Sequence, residues 1–230
     1  MKILGLDTET TGLDQQKDEV TELGLVLWDW EGKKPLKMSN YLIKPTIAIS
    51  DEASRVSGLT EADFTYAKPI EKVNEKLEWY LNEADYVMAH NAPFDKSFVT
   101  RIFATELAKS KLWIDSRTDI IYDDVKHKNK NLVTLAATHG FLNPFPHRAL
   151  FDVMTMLKVA SHYDLEVMVF RANSPTLEIH SLAPFAQKDE VKAHGFYWDA
   201  DRKVWFMNIK ECDLATKEFP FQIKVSGPAK

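Results

Sequence analysis

The order of the strands and helices that the sequence predicts limits the fold more than any other feature. Three extended segments come first, at residues 1–6, 20–30 and 36–43, and the turn Glu31–Lys34 joins the last two. Beyond Pro69, apolar residues recur every three or four positions, as in helices, and these helices alternate with short apolar strands. Strands that first pair with their neighbours and later alternate with helices predict an α/β fold, a mixed β-sheet flanked by helices.

The later segments are predicted from apolar spacing and from residues that begin or end helices. The predicted helices begin at Ile70 and Pro93 and cover Asn131–Thr138 and Leu150–Ser161, and the predicted strands cover Tyr86–Ala89 and Leu112–Asp115. Pro93 suits the first turn of a helix, and Gly140 suits the residue after a helix end. The helices and strands of this part therefore alternate along the chain.

A turn signal at Asn173–Pro175 predicts a boundary between a domain of residues 1–172 and a small domain of residues 176–230. The small domain is predicted to be α+β, with a short polar helix followed by a β-hairpin over residues 196–209. Trp198 and Trp205 could stack on single-stranded bases. The favoured interpretation is that they form the core of the hairpin.

Composition excludes several classes of protein. The chain has 230 residues, 45% of them hydrophobic, which is enough to build a core and excludes general disorder. The formal charge of −5 argues against binding to nucleic acid through bulk charge. Cys212 is the single cysteine, so no intrachain disulfide is possible and a reducing cytoplasmic location is predicted. No apolar stretch is long enough to predict a membrane span.

An acidic pair lies where the first predicted strand ends. In an extended backbone, residues two apart point to the same side, so Asp7 and Glu9 would point their carboxylates to one place. Mg²⁺ or Mn²⁺ between them would relieve the repulsion, because hard cations prefer carboxylate oxygens. An isolated Asp-x-Glu is more often a solvated turn. The apolar strand before this pair favours a metal site at an edge of the sheet.

Two further polar clusters each open a predicted helix. The first is His90–Asp95, in which Asp95 falls in the first helical turn. The second is His147–Asp152, in which Asp152 falls one turn into the helix and His147 precedes it on a proline-containing loop. Each cluster alone has a plain structural explanation: a capping aspartate, a buried histidine or a surface loop residue. A histidine on such a loop also suits a general base that acts on water.

The three clusters, in this order, resemble the three exonuclease motifs of the DnaQ-like family, the DEDDh 3′–5′ exonucleases of the ribonuclease H-like superfamily. The matching segments read D-T-E-T-T-G-L, H-N-A-P-F-D and H-R-A-L-F-D. Residues 56–60 resemble the family's loop before its first helix, and residues 132–140 resemble the helix before the third motif. The tail resembles a small appendage of some bacterial and phage members.

The resemblance implies a role for each matching residue. Asp7, Glu9 and Asp152 would bind one Mg²⁺, Asp7 would bridge to a second Mg²⁺, and Mn²⁺ would substitute. Asp95 would act on the metals through a bound water. His147 would take the proton from the attacking water.

The same resemblance places the terminal nucleotide against the backbone around Glu9 to Gly12, with Leu13 and Phe94 packed on the last bases. The predicted substrate-binding residues are Thr8, Thr10, Thr11, Gly12, Leu13, His90, Asn91 and Phe94. Leu13 and Phe94 could instead be ordinary core residues. The basic run at residues 126–130 could face phosphates, although such runs are more often solvated loops.

The predicted function is therefore that of a metal-dependent 3′–5′ exonuclease that releases nucleoside 5′-monophosphates, with single-stranded DNA ends favoured over RNA. The alternative is a catalytically silent protein that keeps the fold to bind nucleic acid or a partner. A phosphatase has no positive signal, because no His-rich metal set or phosphate-binding glycine loop is present. A homodimer is possible. Association with a polymerase is possible but not favoured, because the tail is predicted to fold.

Overall fold

The protein is described by a computed structural model that covers residues 1–123, 126–127 and 129–229. It divides into two compact units, Met1–Val169 and Phe170–Lys230. Lys128, part of the basic run that could face phosphates, lies outside the described residues.

The first unit is built on a five-stranded sheet in the order β3-β2-β1-β4-β5. Its strands are β1 (Lys2–Thr10), β2 (Val20–Asp29), β3 (Lys34–Leu42), β4 (Tyr86–Ala89) and β5 (Trp113–Asp115). The first three strands pair antiparallel, whereas β4 and β5 join parallel to β1. The mixed sheet that the sequence predicts is thus confirmed, and β1 lies at its centre.

Seven helices are described in or at the end of this unit, with one 3₁₀ turn at Glu61–Tyr66. They are α1 (Asp51–Ser57), α2 (Ile70–Glu83), α3 (Ala92–Ile102), α4 (Glu106–Ser110), α5 (Leu132–Thr138), α6 (Ala149–Ala160) and α7 (Leu165–Asn173). None of the described helices is both long and apolar enough to cross a bilayer.

The two faces of β1 pack against different helices because its side chains alternate. Leu4 and Leu6 belong to a core with Leu77 of α2 and Phe98 of α3. Gly5 faces the other way, where Leu157 of α6 approaches so closely that a Cβ atom at this glycine would lie 2.6 Å from its Cδ1 atom. Odd-numbered residues of β1 therefore face α6, and even-numbered ones face α2 and α3.

The structure differs from the sequence prediction at the end of β1. The strand was predicted to end at Leu6, but it continues to Thr10, because pairing with β2 extends through Asp7↔Gly24 and Glu9↔Glu22. The backbone of the acidic pair is therefore held in the sheet rather than in a loop.

The sequence prediction also missed several short elements. Residues 56–60 were predicted as a loop before the first helix, but the first helix is α1, which ends within this segment. Ser50 caps its start by accepting a bond from the Ala53 amide, and Gly58 ends it with a φ of 72°. Helices α4 and α7 were not predicted either; all three have fewer than ten residues, too few for a clear periodic pattern.

The second unit contains a four-stranded antiparallel sheet in the order β7-β8-β6-β9. Its elements are β6 (Thr176–Ser181), α8 (Lys188–Ala193), β7 (Tyr197–Asp199), β8 (Val204–Lys210), α9 (Glu211–Leu214) and β9 (Ile223–Pro228). The predicted hairpin is present as β7 and β8. Trp205 is buried in the core of this unit with Ile179 and Phe196, as the favoured interpretation predicted, but Trp198 is 43% exposed, so that interpretation is wrong for Trp198. The strand β9 was not predicted.

Candidate active site

Asp7 and Glu9 project from β1 toward α6, and Asp152 lies in the first turn of that helix. One carboxylate oxygen of each of these three residues lies within 4.8 Å of the other two. Three anionic oxygens at this spacing match the ligands that Mg²⁺ and Mn²⁺ prefer. Residues that are far apart in the sequence therefore form a group, here called the acid trio, that fits a divalent cation.

Burial and mutual repulsion raise the pKa of each carboxyl in the acid trio. The pKa of Asp7 lies well above its ordinary value, chiefly because of burial and then because of the neighbouring Asp95 and Glu9. Burial and the charge of Asp152 raise the pKa of Glu9 to about 8, and burial raises the pKa of Asp152. A bound divalent cation would offset this repulsion, so the donor set fits such an ion.

Asp95 occupies the first turn of α3, and only 3% of its surface is exposed. Its Oδ1 atom accepts bonds from the amide and the hydroxyl of Thr8, at 2.9 and 2.7 Å. Burial raises the pKa of Asp95 to about 7, and the two bonds from Thr8 oppose that rise. Among the described residues, Asp95 lies outside the acid trio, so its predicted role as a metal ligand stays a prediction.

His147 lies on the loop before α6 and is exposed. Its amide donates a bond of 3.0 Å to Oδ2 of Asp152, and its backbone has a φ of 61°. A positive φ is uncommon for a residue other than glycine. The backbone of His147 is thus tied to Asp152, and His147 lines the same cleft as Asp7 and Asp152.

A cleft of about 560 Å³ opens on one side of Glu9. Its lining includes the predicted substrate-binding residues Thr8, Thr10, Gly12, Leu13 and Phe94. Leu13 is 79% exposed, so it is not a core residue. Phe94 is half-buried and packs on Phe98, with ring centroids 4.9 Å apart. The apolar side chains at this cleft suit a nucleobase.

The threonines at the cleft have structural partners. Thr10 donates its hydroxyl hydrogen to the carbonyl of Gly12 at 2.6 Å, and the buried Thr11 donates to Asp18 at 2.8 Å. Asp18 also accepts a bond from the Asp14 amide. These bonds fold the loop that carries Leu13, so Thr10 and Thr11 shape the cleft through the backbone.

A second cleft, of about 540 Å³, contains Asp7 and Asp152 in its wall. Its other lining residues include His90, Asn91, Arg117, Lys130 and His147. Both ring nitrogens of His90 are bonded, to the Ser116 hydroxyl at 2.8 Å and to the Lys130 carbonyl at 2.7 Å, and burial lowers its pKa. His90 therefore supports the wall of this cleft rather than presenting a free imidazole.

The sequence analysis missed several residues at the site. Arg117 and Asn143 were not singled out, yet Arg117 lines the second cleft and Asn143 donates to Oδ1 of Asp152. Glu22, opposite Glu9 on β2, was also missed. The available signal was an acid between Thr21 and Leu23, near the start of a strand that is buried along almost its whole length.

Comparison with known proteins agrees with this geometry. Residues 4–160 match a family model described as an exonuclease of the RNase T type. Residues 182–216 match a domain model of unknown function, DUF5710.

Relatives in sequence are DNA polymerase components. The chain is 37% identical over 158 residues to the PolC-type DNA polymerase III of Thermotoga maritima, a match that covers 67% of this chain and 11% of that protein. It is 34% identical over 95 residues to the DNA polymerase III subunit epsilon of Treponema pallidum, covering 40% of this chain and 42% of that subunit. The chain thus spans about a tenth of the length of the PolC-type relative.

Solved structures show the same fold. The nuclease domain of 3′hExo, described as a DEDDh family member bound to rAMP, matches with a TM-score of 0.57 and 18% identity over 70% of this chain and 90% of that one. Exonuclease X, solved with 5′ overhanging duplex DNA, matches with a TM-score of 0.52 and 20% identity over 74% of this chain and 99% of that one. The match of the exonuclease model to most of the chain shows that this protein belongs to the DnaQ-like exonuclease family of the ribonuclease H-like superfamily.

Proposed function

We propose that the protein is a metal-dependent 3′–5′ exonuclease that removes nucleoside 5′-monophosphates from nucleic-acid ends. The observation that carries this proposal is the acid trio, in which Asp7, Glu9 and Asp152 bring three carboxylate oxygens within 4.8 Å of one another. The exposed His147 and the two flanking clefts supply the other requirements of hydrolysis, a proton acceptor and room for a strand.

Asp7, Glu9 and Asp152 would hold one divalent ion, and Asp7 would share a second. Two bound ions would lower the pKa of the attacking water and stabilise the leaving 3′ oxygen. His147 accepts the proton of this water, whose oxygen bonds to phosphorus while the bond to the 3′ oxygen breaks. The leaving 3′ oxygen takes a proton from solvent water, so the shortened strand keeps a 3′ hydroxyl, and the released nucleotide carries the 5′ phosphate.

The two clefts define a path for the substrate strand. The terminal nucleobase and sugar occupy the cleft with Leu13 and Phe94, because its side chains are apolar. Arg117 and Lys130 line the second cleft, where they would attract the phosphates of the strand behind the scissile bond. The acid trio lies between the two groups of contacts.

We propose DNA rather than RNA as the substrate. DNA is favoured because several relatives are DNA polymerase III components and because Exonuclease X was solved with DNA. A related fold was solved with histone mRNA stem-loop, so the fold alone does not select DNA. A silent binding protein is disfavoured because the acid trio, Asp95 and His147 are all present.

A free-standing enzyme is favoured over a polymerase subunit, because the second unit has its own sheet and core. A homodimer is a further possibility. Light scattering of the purified protein would measure its oligomeric state.

The decisive assay compares single-stranded DNA, duplex DNA and RNA, each labelled at its 5′ end, in Mg²⁺ and in EDTA. We expect product ladders that shorten from the 3′ end in Mg²⁺ only, fastest on single-stranded DNA. Thin-layer chromatography of a 3′-labelled strand should show the nucleoside 5′-monophosphate. Binding without shortening in both Mg²⁺ and Mn²⁺ would support the silent alternative instead.

Leu13→Ala tests the proposed nucleobase cleft. Loss of an apolar contact to a terminal base is expected to raise the KM for a single-stranded oligonucleotide about tenfold, since a base contact of this kind contributes roughly 1–3 kcal/mol. The kcat should fall by less than about threefold, because the substitution removes binding rather than chemistry. Leu36→Ala, at a half-exposed leucine on β3, is the matched control and should leave both constants unchanged. An unchanged KM in Leu13→Ala would rule out the assignment of this cleft.

A further inference from the structure

Glu22 is a buried acid beside the acid trio that does not belong to it. It is paired with Glu9 across the β1–β2 ladder, so the two side chains lie on the same face of the sheet. Its surface is 0% exposed, and both of its carboxylate oxygens accept hydrogen bonds from neighbouring residues. A buried carboxylate in this position needs a cationic partner.

That partner is Arg148, the residue between His147 and α6. Its Nη2 atom donates to Oε1 of Glu22 at 2.9 Å, and its Nε atom donates to Oε2 at 3.1 Å. The Ala149 amide adds a bond of 3.3 Å to Oε2, and Asn40 of β3 donates to Oε1 at 2.6 Å. One carboxylate on β2 thus fixes both the Arg148 side chain and the start of α6.

The start of α6 has little freedom to move relative to β2. A Cβ atom at Gly24 would lie 2.5 Å from the carbonyl carbon of Ala149 and 2.6 Å from the amide nitrogen of Leu150. Glycine at this position lets the helix backbone contact the strand directly. The hydrogen bonds to Glu22 are therefore made where the backbone at the start of α6 packs directly against β2.

His147 lies immediately before this fixed point. Its left-handed backbone is sterically unfavourable for a residue with a Cβ atom, so surrounding contacts must maintain it. The contacts present are its own amide bond to Asp152 and the attachment of Arg148 to Glu22. These two contacts restrain the backbone from which the imidazole projects, and the His147 amide and Asn143 together hold the Asp152 carboxylate.

We propose that Glu22 and Arg148 form a positioning pair that holds His147 and Asp152 in place against Asp7 and Glu9. This inference rests on the proposed function. Bidentate arginine–carboxylate bonds specify geometry as well as charge, which a lysine would not reproduce. The charge of Glu22 acts on the acid trio, and the Arg148 guanidinium offsets part of it at Glu9, so the pair adds rigidity at a reduced electrostatic cost.

The test uses the full chain with Arg148→Lys, Glu22→Gln and the double variant. We expect each single variant to lower kcat about 10–100-fold while the KM for single-stranded DNA changes less than about threefold. The double variant should be no more than about twofold slower than the slower single variant, because both substitutions break one pair. Arg202→Lys, in the Glu178 pair of the second unit, is the matched control and should keep wild-type activity.

A second measurement does not depend on activity. Mn²⁺ added to metal-free protein should raise Tm. The Mn²⁺ concentration that gives half of this rise should be about tenfold higher in Arg148→Lys and in Glu22→Gln than in wild type, because Asp152 is less well placed in these variants. Should Arg148→Lys fail to fold, Glu22→Gln provides both measurements alone, since it keeps the size of the side chain.

Three results would overturn the inference while leaving the proposed function intact. A higher KM with unchanged kcat in Arg148→Lys would make Arg148 a substrate contact, and a lower Tm with unchanged activity per folded molecule would make the pair merely structural. Variants that match wild type in kcat and in the Mn²⁺ midpoint would show no positioning role. Wild-type protein that never shortens a 3′ end would instead overturn the proposed function, and this inference with it.

Discussion

Asp7→Asn is expected to lower the rate of 3′-end hydrolysis by at least about a thousandfold, which corresponds to roughly 4 kcal/mol of transition-state stabilisation. Asp7 is the residue proposed to touch both metal ions, and its carboxyl lies in the acid trio and is repelled by Asp95 as well. An amide keeps the size of the side chain but loses the negative charge that a divalent cation requires. The measurement is single-turnover digestion of a 5′-labelled oligonucleotide in Mg²⁺.

The same variant should be more stable than wild type when no metal is present. The reason is that the substitution removes a half-buried carboxyl that Asp95 and Glu9 repel. Asp201→Asn, at an exposed aspartate in the second unit, is the matched control for both measurements and should change neither. Activity of Asp7→Asn above about a tenth of wild type would be incompatible with a metal-dependent reaction at this site.

Metal-free protein should lose stability as the pH rises from about 5.5 to about 8.5, by an amount on the order of a few kcal/mol. Burial and Asp152 raise the pKa of Glu9 to about 8, from an ordinary value of 4.5. Between these values the folded state binds more protons than the unfolded state. The stabilising effect of protonation is therefore complete below the ordinary value and is lost as the pH passes through about 8.

Divalent ions should reverse this trend, because they bind the deprotonated carboxylates. We expect Mn²⁺ to raise Tm more at about pH 8 than at about pH 6, and EDTA to abolish the difference. Glu9→Gln removes the carboxyl whose pKa is raised to about 8 and should flatten the slope in EDTA. A Tm that rises with pH in EDTA, in wild type and Glu9→Gln alike, would contradict the assigned protonation.

The same-side placement of Asp7 and Glu9 could be predicted from the sequence because it depends on a local rule, whereas the approach of Asp152 to this pair was implied only by the resemblance to the exonuclease family. Strand alternation places Asp7 and Glu9 on one side, and the helix start at Ala149 places Asp152 in a first turn. The exposure of Leu13 was not predictable. A single leucine in a polar loop gives no sequence signal of whether its side chain packs inward or points to solvent. The resemblance to the exonuclease motifs predicted that Leu13 packs on the terminal bases, and the structure shows that its side chain is exposed.

Other parts of the site depend on tertiary contacts that leave little trace in the sequence. Thr8 could be interpreted as a substrate contact, but its hydroxyl and amide are bonded to Asp95, which lies 87 positions away. The bonds between Glu22 and Arg148 join residues 126 positions apart. Neither partnership follows from periodicity or from a motif, because each arises only when α3 or α6 packs on the sheet.

Because β1 continues through Thr10, the backbone that carries Asp7 and Glu9 should respond to thermal motion as a central strand does and not as a loop does. Amide groups in a central strand exchange with deuterium mainly when the domain opens as a whole, whereas loop amides exchange through local fluctuations. The acids of this strand are therefore carried by backbone that should be among the slowest in the chain to take up deuterium. For the two acids of this strand, capture of an ion then requires only rotation of their carboxyl groups, because the backbone that carries them is already in place before the cation arrives.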